Sequence, residues 1–436
     1  MKRVQQIFLV ITIIAAVVLL AGIVMQNEVL YKPASLVTAI SLAIGLGAII
    51  SLKGYQYTAW IAAAVVAGMM FPAAFTTWGG VNLRDKTLIL VIIQLVMFGM
   101  GTHMSLKDFS GFASTGKGVL VGLFCHFTIM PLMGLLLTKI FQFEPEIAAG
   151  IILIGSCSSG LASNVMVYLA RANLVLSVIV TAMATMVAPF LTPLLMKLLA
   201  GTLIEVKFVD MMMEIIKIVL VPIGAALLHD YLKSATAAQK KKVYVISSLC
   251  VLWLLVVIFA LQNKITNHLL QQSVVLSGFF AGAVIAGVAY HFLYRRFPKL
   301  DNIMPLISMF GIIYFTTVTT AAGRENLMKV GLLLFMASVI HNAAGYFFGY
   351  WLSRLFGMDK NSSRTIAFEV GLQNGGMASG IAGSMGKLGT VGLAAAVFSP
   401  WMNISGSILA NYWRRRPVGD NKIHPGKIKV DKVLTS

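Results

Sequence analysis

Long apolar runs separated by short polar loops make up most of the chain. A helix needs about 20 residues to cross a hydrocarbon core of ~30 Å, whereas a barrel strand needs about 9–11. Each run is too long and too uninterrupted for such a strand, so the pattern predicts an all-α polytopic membrane protein. The fourteen predicted helices lie at about 7–26, 35–52, 57–76, 87–102, 118–141, 147–170, 174–200, 211–232, 243–262, 273–294, 303–322, 327–353, 365–385 and 390–413.

Composition agrees with this fold class and excludes several others. Of the 436 residues, 58% are hydrophobic and 11% are charged, against about 25% charged in an ordinary soluble domain. A soluble enzyme, a disordered chain and a disulfide scaffold are therefore excluded. Cys125, Cys157 and Cys250 lie far apart in apolar segments, and we interpret them as small core residues.

The net charge of +19 indicates orientation in a membrane and not nucleic-acid binding, because the basic residues lie mostly in short loops. An amino terminus in the cytoplasm puts the lysine triplet 240–242 and the arginine triplet 414–416 on that side, as the positive-inside rule requires. We therefore expect both termini in the cytoplasm, the inner (plasma) membrane as location and the lipid bilayer as partner. The oligomeric state stays open.

The first apolar run has two interpretations. Met1-Lys2-Arg3 before an apolar stretch is also typical of a signal peptide. No convincing small-residue cleavage site follows, so we expect a retained helix. Removing it would leave every other loop on the same side of the membrane.

Glu369 is the acidic residue that lies deepest inside an apolar run. An ionised side chain at mid-bilayer costs at least ~2.5–3.5 kcal/mol, so such residues are functional candidates. Gln373 follows on the same helix face, and Gly375-Gly376 offers a break. Broken helices in transporters expose main-chain oxygens that coordinate cations such as Na⁺. The pattern predicts a site for a hard cation; the simpler alternative is a protonated glutamate among polar neighbours.

A second polar stretch interrupts the run 147–170, with four serines and Asn164 between 156 and 164. Such groups are costly in lipid unless they line a cavity or bind one another. Ser177 and Thr181 share one face of the next helix. Packing through small residues is the other explanation. Paired breaks in corresponding segments are typical of inverted-repeat transporters.

Several short stretches form a recognisable set when they are taken together and in order. They are Met97-Phe98-Gly99-Met100-Gly101, Phe127-Thr128-Ile129-Met130-Pro131, Ala162-Ser163-Asn164-Val165-Met166, Tyr168-Leu169-Ala170-Arg171, His341-Asn342, Gly345-Tyr346, Glu369-Val370-Gly371-Leu372-Gln373-Asn374, Asn403-Ile404-Ser405-Gly406-Ser407 and Tyr412-Trp413. With these stretches the chain resembles the bacterial branch of the bile acid:sodium symporter family, from about 57 to 233 and from about 301 to 413.

The resemblance implies ten helices in two inverted five-helix repeats, with two broken helices crossing at the centre. Four further helices are additions to that core, and their role stays open. The implied divisions are two extra helices in 1–52, a panel domain in 57–102, 211–233 and 303–322, a core domain in 118–200 and 327–413, an inserted two-helix segment in 243–295 and a basic cytoplasmic tail in 414–436.

The resemblance also implies ligands. One Na⁺ would be held by Ser163, Asn164, Ser177, Thr181 and Glu369, and a second by Glu369, Gln373, His126 and the main-chain oxygens of Val370 and Leu372. The substrate would contact Leu161, Asn374, Met402 and Asn403.

This chain departs from the family pattern at some of these positions. His126 stands where relatives commonly have glutamine, and imidazole nitrogen is a poor ligand for a hard cation, so one or two Na⁺ ions are expected. Leu161 replaces a frequent threonine, Met402 replaces a histidine of a bacterial relative, and the first break lacks the common proline.

The resulting hypothesis is a sodium-coupled symporter that imports an organic anion, such as a bile acid or a small hydroxy or keto acid, by alternating access. Proton-coupled or sodium-independent transport is the alternative within the class. An intramembrane serine hydrolase is disfavoured because no Gly-x-Ser-Gly element is present. A non-transporting receptor is the remaining alternative, and the protein is not expected to be an enzyme.

Overall fold

The computed structural model of the chain describes residues 2–49, 52, 55–106, 112–261 and 267–418. Within these residues, ten helices are long and apolar enough to cross a membrane. Each of the fourteen predicted runs contains helix, which confirms an all-α polytopic membrane protein. Most of the predicted basic tail, from residue 419 onward, lies outside the described residues.

The first third of the chain begins with a helical hairpin. Its elements are α1 (Lys2–Val24), α2 (Glu28–Gly45), a 3₁₀ turn (Leu46–Ala48), α3 (Gln56–Met70), α4 (Pro72–Thr76), strands β1 (Thr77–Trp78) and β2 (Val81–Asn82), α5 (Lys86–Gly101) and α6 (Phe112–Phe141). The predicted run 57–76 is thus two helices. The kink at Phe71 (φ −129°, ψ 55°) follows from Pro72, because a residue before proline disfavours the α conformation.

The middle of the chain contains the first broken helix and the inserted segment. The elements are α7 (Pro145–Ser156), α8 (Leu161–Leu169), α9 (Leu174–Ala200), α10 (Phe208–Ile215), a π turn (Ile216–Leu220), α11 (Val221–Ser234), α12 (Ala237–Val256), a second π turn (Val257–Leu261) and α13 (His268–Arg296).

The last third repeats the pattern of a broken helix between two long ones. The elements are α14 (Leu300–Ala322), α15 (Arg324–Leu355), α16 (Lys360–Gly371), α17 (Gly375–Ser384) and α18 (Leu393–Arg414). The broken helices α7–α8 and α16–α17 are enclosed by α6, α9, α15 and α18. Helices α5 and α14 contact α17, while α3 packs on α14 and α11 packs on α5.

The predicted additional helices lie at the periphery. In the most apolar part of α1 and of α12, 11% of residues are buried, against 56% in α9. The hairpin α1–α2 packs on α3, and the hairpin α12–α13 packs on α11. The enclosed broken helices are therefore the place to look for buried chemistry.

Candidate functional site

Both central helices break where the chain becomes extended. Helix α7 ends before Cys157 (φ −76°, ψ 163°), and α16 ends before Leu372 (φ −106°, ψ 105°). The two extended segments pair antiparallel at Ser159 and Gln373. The main-chain N–H of Asn374 also donates to the carbonyl oxygen of Ser158 at 2.8 Å. The two breaks therefore cross and support each other.

Glycine permits this crossing at two positions. A Cβ on Gly160 would lie 3.2 Å from the carbonyl oxygen of Gln373, and one on Gly375 would lie 2.0 Å from Oγ of Ser399. Any larger residue at Gly375 would collide with Ser399. The Gly375-Gly376 pair thus brings the start of α17 into contact with α18.

The carboxylate of Glu369 lies fully buried at this crossing. Its Oε1 lies 2.5 Å from Oγ of Ser177. Its Oε2 lies 2.7 Å from Oγ of Ser159 and 2.8 Å from Oγ1 of Thr181. No Lys, Arg or His forms an ion pair with Glu369 in the part of the chain that the structure describes.

The hydroxyl groups around this carboxylate have fewer protons to donate than there are acceptor oxygens near them. The single hydroxyl proton of Ser177 has two acceptors, since Oδ1 of Asn164 lies 2.7 Å away in addition to Glu369. Thr181 has the same conflict, with Oδ1 of Asn164 at 3.4 Å and Oγ of Ser163 at 3.3 Å. A buried charge without a partner is costly. A cation among these oxygens would offset that charge, and oxygen is the ligand that hard cations prefer.

The five residues predicted for the first cation therefore lie together, on α8, α9 and α16. The structure adds Ser159, which the sequence could not single out from its neighbouring serines. Only the pairing of Ser159 with Gln373 brings this hydroxyl to Glu369.

The residues predicted for the second cation are also neighbours. The amide nitrogen of Gln373 donates to the carbonyl oxygen of Val370 at 2.7 Å. The amide oxygen Oε1 of Gln373 is buried and has no hydrogen-bond partner among the residues that the structure describes. Leu372 lies in the break itself and is fully buried.

His126 projects from α6 between the ends of the two first half-helices. Its Nδ1 lies 2.9 Å from the carbonyl oxygen of Glu369, and its Nε2 lies 2.7 Å from that of Cys157. Carbonyl groups in the last turn of a helix lack intrahelical partners and carry partial negative charge. A neutral imidazole has a single N–H and donates to one of these two carbonyl oxygens, whereas an imidazolium donates to both.

The residues predicted to contact substrate lie at the starts of the second half-helices and on α18. Asn374 caps α17, with its Oδ1 accepting from the N–H of Met377 at 2.9 Å, and Leu161 is the first residue of α8. Met402 and Asn403 lie on α18, which packs against both α8 and α17. Asn403 donates to the carbonyl oxygen of Ser399 at 2.8 Å.

A hydrogen-bonded brace holds the end of α16, and sequence reasoning missed it. Asn342 donates to the carbonyl oxygen of Gly371 at 2.8 Å. Oγ of Ser405 lies 2.5 Å from Oδ1 of Asn342, and the Tyr346 hydroxyl lies 3.2 Å from Ser405. The polar pair at 341–342 inside an apolar helix was the available signal. His341 itself bonds the carbonyl oxygen of Met130 at 2.8 Å.

Comparison with known proteins identifies the family. A model described as the Sodium Bile acid symporter family matches residues 89–269. The chain is 30% identical over 364 residues to an uncharacterized sodium-dependent transporter of Bacillus subtilis, covering 83% of this chain and 92% of the relative. It is 29% identical to a probable sodium/metabolite cotransporter of chloroplasts in Oryza sativa, covering 87% and 76%.

A human ileal sodium/bile acid cotransporter is 26% identical over 295 residues, covering 66% of this chain and 67% of that protein. These relatives are transporters and not enzymes. With the buried carboxylate at the crossing of two broken helices, the alignment over most of both chains leads to one conclusion: this protein belongs to the sodium bile acid symporter family.

Proposed function

We propose that the protein imports an organic anion together with Na⁺ by alternating access. The observation that carries this proposal is the buried Glu369 carboxylate, which has oxygen neighbours at 2.5–2.8 Å and no basic partner among the described residues. Membership in the family supports sodium as the coupling ion.

The proposed Na⁺ ligands are the side chains of Ser163, Asn164, Ser177, Thr181 and Glu369, with Ser159 as a sixth oxygen at the carboxylate. The first five side chains come from α8, α9 and α16, and Ser159 lies in the break before α8. A bound ion would hold both breaks in one arrangement, since Ser159 and Glu369 belong to different broken helices. Binding of Na⁺ thereby prepares the starts of α8 and α17 for substrate.

We propose a stoichiometry of one Na⁺. The second position, among Glu369, Val370, Leu372 and Gln373, borders the imidazole of His126, whose nitrogens already engage the carbonyl oxygens of Glu369 and Cys157. Imidazole nitrogen attracts a hard cation poorly. The side chain therefore offers no oxygen ligand to an ion at this position.

The substrate would lie near Leu161, Asn374, Met402 and Asn403. The N-terminus of a helix carries partial positive charge, and Leu161 and Asn374 stand at two such ends. This arrangement favours an anionic group, while Leu161 and Met402 favour an apolar body. A bile acid or a small hydroxy or keto acid has both features.

Alternating access would come from rocking of one group of helices against the other, the core at 118–200 and 327–413 against the panel at 57–102, 211–233 and 303–322. We place the protein in the plasma membrane with both termini in the cytoplasm. The concentration of basic residues in the corresponding loops supports this orientation.

Reconstituted vesicles test the proposal directly. Uptake of a panel of organic anions is measured with an inward Na⁺ gradient and with K⁺ in its place. Accumulation only with Na⁺ is expected, and equal accumulation in K⁺ would contradict sodium coupling.

Proton coupling is a second candidate, because an unpaired buried carboxylate such as Glu369 can also carry a proton. A pH gradient that drives uptake in the absence of Na⁺ would favour it. Ligand binding without any flux in these vesicles would instead indicate a receptor.

A further inference from the structure

The inserted hairpin α12–α13 leaves an apolar groove where it meets α5 and α11. The groove has a volume of about 630 Å³. Val91, Leu95 and Ile258 line it and are exposed, so the groove opens on the apolar surface of the molecule. Gln94 and Tyr290 are its polar lining side chains, and both are engaged elsewhere, with the carbonyl oxygen of Lys217 at 3.0 Å and with Asp301 at 2.9 Å.

The groove is long and has unfilled space. It extends along α13 from Val275 to Tyr290, which is a length of about 22 Å at the helical rise per residue. A Cβ added to Gly282, midway along this wall, would meet no atom within 4 Å. A single extended hydrocarbon chain has dimensions of this order, and no polar group in the groove requires water.

Positive charge lies beyond one end of the groove. The lysine triplet 240–242 stands in the first turns of α12, and Arg295 and Arg296 stand in the last turn of α13. The sequence contains no Asp or Glu from 231 to 300, and Asp301, which accepts from Tyr290 at this end of the groove, forms an ion pair with Lys233 at 2.9 Å. None of these five basic side chains forms an ion pair with any residue that the structure describes.

The two basic turns form one surface. The rings of Tyr244 and Phe292 stack at 5.2 Å, which joins the start of α12 to the end of α13. Tyr290, at the end of the groove, precedes Arg295 by five residues, or about 7.5 Å of helix.

We propose that this groove binds one acyl chain of an anionic phospholipid, with the phosphate headgroup on the basic surface formed by the lysine triplet 240–242, Arg295 and Arg296. An apolar groove on a membrane-spanning surface is open to hydrocarbon, and clustered basic residues at a helix end attract anionic headgroups. Neither feature depends on the sodium site, so lipid binding is a role for the inserted hairpin that is separate from the sodium site.

Thermal unfolding of the purified full-length protein in detergent tests this proposal, because a ligand that binds the folded state raises Tm. Phosphatidylglycerol is expected to raise Tm by several degrees, phosphatidylcholine by less, and inorganic phosphate not at all. The triple variant Lys240→Gln, Lys241→Gln, Lys242→Gln should weaken the apparent affinity for phosphatidylglycerol by about 100-fold and leave that for phosphatidylcholine unchanged.

The groove itself is tested by Gly282→Leu, which should remove the Tm increase with both lipids. Gly224→Leu is the matched control, because a Cβ at Gly224 also meets no atom within 4 Å and this residue does not line the groove. Equal effects of the two lipids on the wild type, or a full lipid effect in Gly282→Leu, would overturn the proposal. So would a Tm increase with phosphate alone, or a dimer that Gly282→Leu dissociates in lipid-free detergent.

Discussion

The two proposed cation positions meet at the crossing of the broken helices, and they differ in what surrounds them. Around the Glu369 carboxylate, hydroxyl and amide oxygens converge from Ser159 in the first break and from α8 and α9, with too few protons to satisfy one another. At the neighbouring position, His126 already engages the carbonyl oxygens of Glu369 and Cys157. The first position is suited to an exchangeable ion, whereas the second is bordered by the imidazole of His126.

On this proposal, a single side chain sets the number of Na⁺ ions that are bound. Both positions use the same backbone crossing, because the extended segments at Ser159 and Gln373 pair in either case. What distinguishes them is the chemistry of one side chain on α6. Substitutions that remove an oxygen atom near Glu369 should alter the affinity for Na⁺. Substitutions of His126 should alter the number of Na⁺ ions that are bound.

Glu369→Gln should have the largest effect. The amide keeps the size of the side chain and removes its charge, so the counter-charge for Na⁺ is lost. Na⁺-driven uptake should fall by more than about 100-fold, equivalent to about 2.7 kcal/mol. Glu214→Gln is the control, since that carboxylate pairs with Lys217 at the helix surface and should leave uptake unchanged. Full activity of Glu369→Gln would remove this residue from the mechanism.

Thr181→Val should have the next largest effect. Valine keeps the branched shape and removes Oγ1, which lies 2.8 Å from Glu369. The Na⁺ concentration for half-maximal uptake should rise by about ten-fold. Thr185→Val, one turn along α9, is the control because its hydroxyl donates to the main-chain oxygen of Thr181. A similar rise in both variants would indicate a packing effect.

His126→Gln should change the stoichiometry. An amide offers an oxygen in place of a ring nitrogen and frees one main-chain carbonyl. The Hill coefficient for Na⁺ in uptake should rise from about 1 toward 2, as expected for a second ion. His341→Gln is the control, since that imidazole is bonded to Met130 away from the carboxylate. A coefficient of about 2 in the wild type would show that His126 does not exclude the second ion.

Ser405→Ala should have the smallest effect on transport. It removes the oxygen that lies 2.5 Å from Oδ1 of Asn342 and so loosens the brace on the end of α16. The free energy of unfolding should fall by about 1 kcal/mol, with the Na⁺ dependence changed by less than about two-fold. Ser407→Ala, two residues further along α18, is the comparison variant, and a smaller loss in its chemical denaturation is expected.

The candidate site was predicted from polar residues that are energetically costly to place in a membrane. A carboxylate such as Glu369 inside an apolar run is conspicuous because insertion penalises it, and the breaks were visible as glycine and serine clusters. The helical runs were equally clear from their length. These features depend only on short stretches of residues, so one amino-acid sequence is enough to recognise them.

What escaped prediction depends on contacts between distant segments. Ser159 looks like its neighbouring serines until its pairing with Gln373 directs it to Glu369. The brace from Asn342 to Gly371 joins residues 29 apart in sequence. The open space at Gly282 exists because of how two peripheral helices meet the panel helices. The kink at Phe71 is different. Pro72 was a visible signal for it, but the apolar run 57–76 continues through Pro72 and was therefore predicted as one helix.

Equilibrium binding of radioactive Na⁺ to the purified protein separates the two cation positions without any need for a substrate. The wild type should bind one Na⁺ per chain, Glu369→Gln none and His126→Gln two, with K⁺ failing to compete. Undiminished Na⁺ binding by Glu369→Gln, or two ions bound by the wild type, would contradict the assignment of Na⁺ to the oxygens around Glu369 and of the second position to His126.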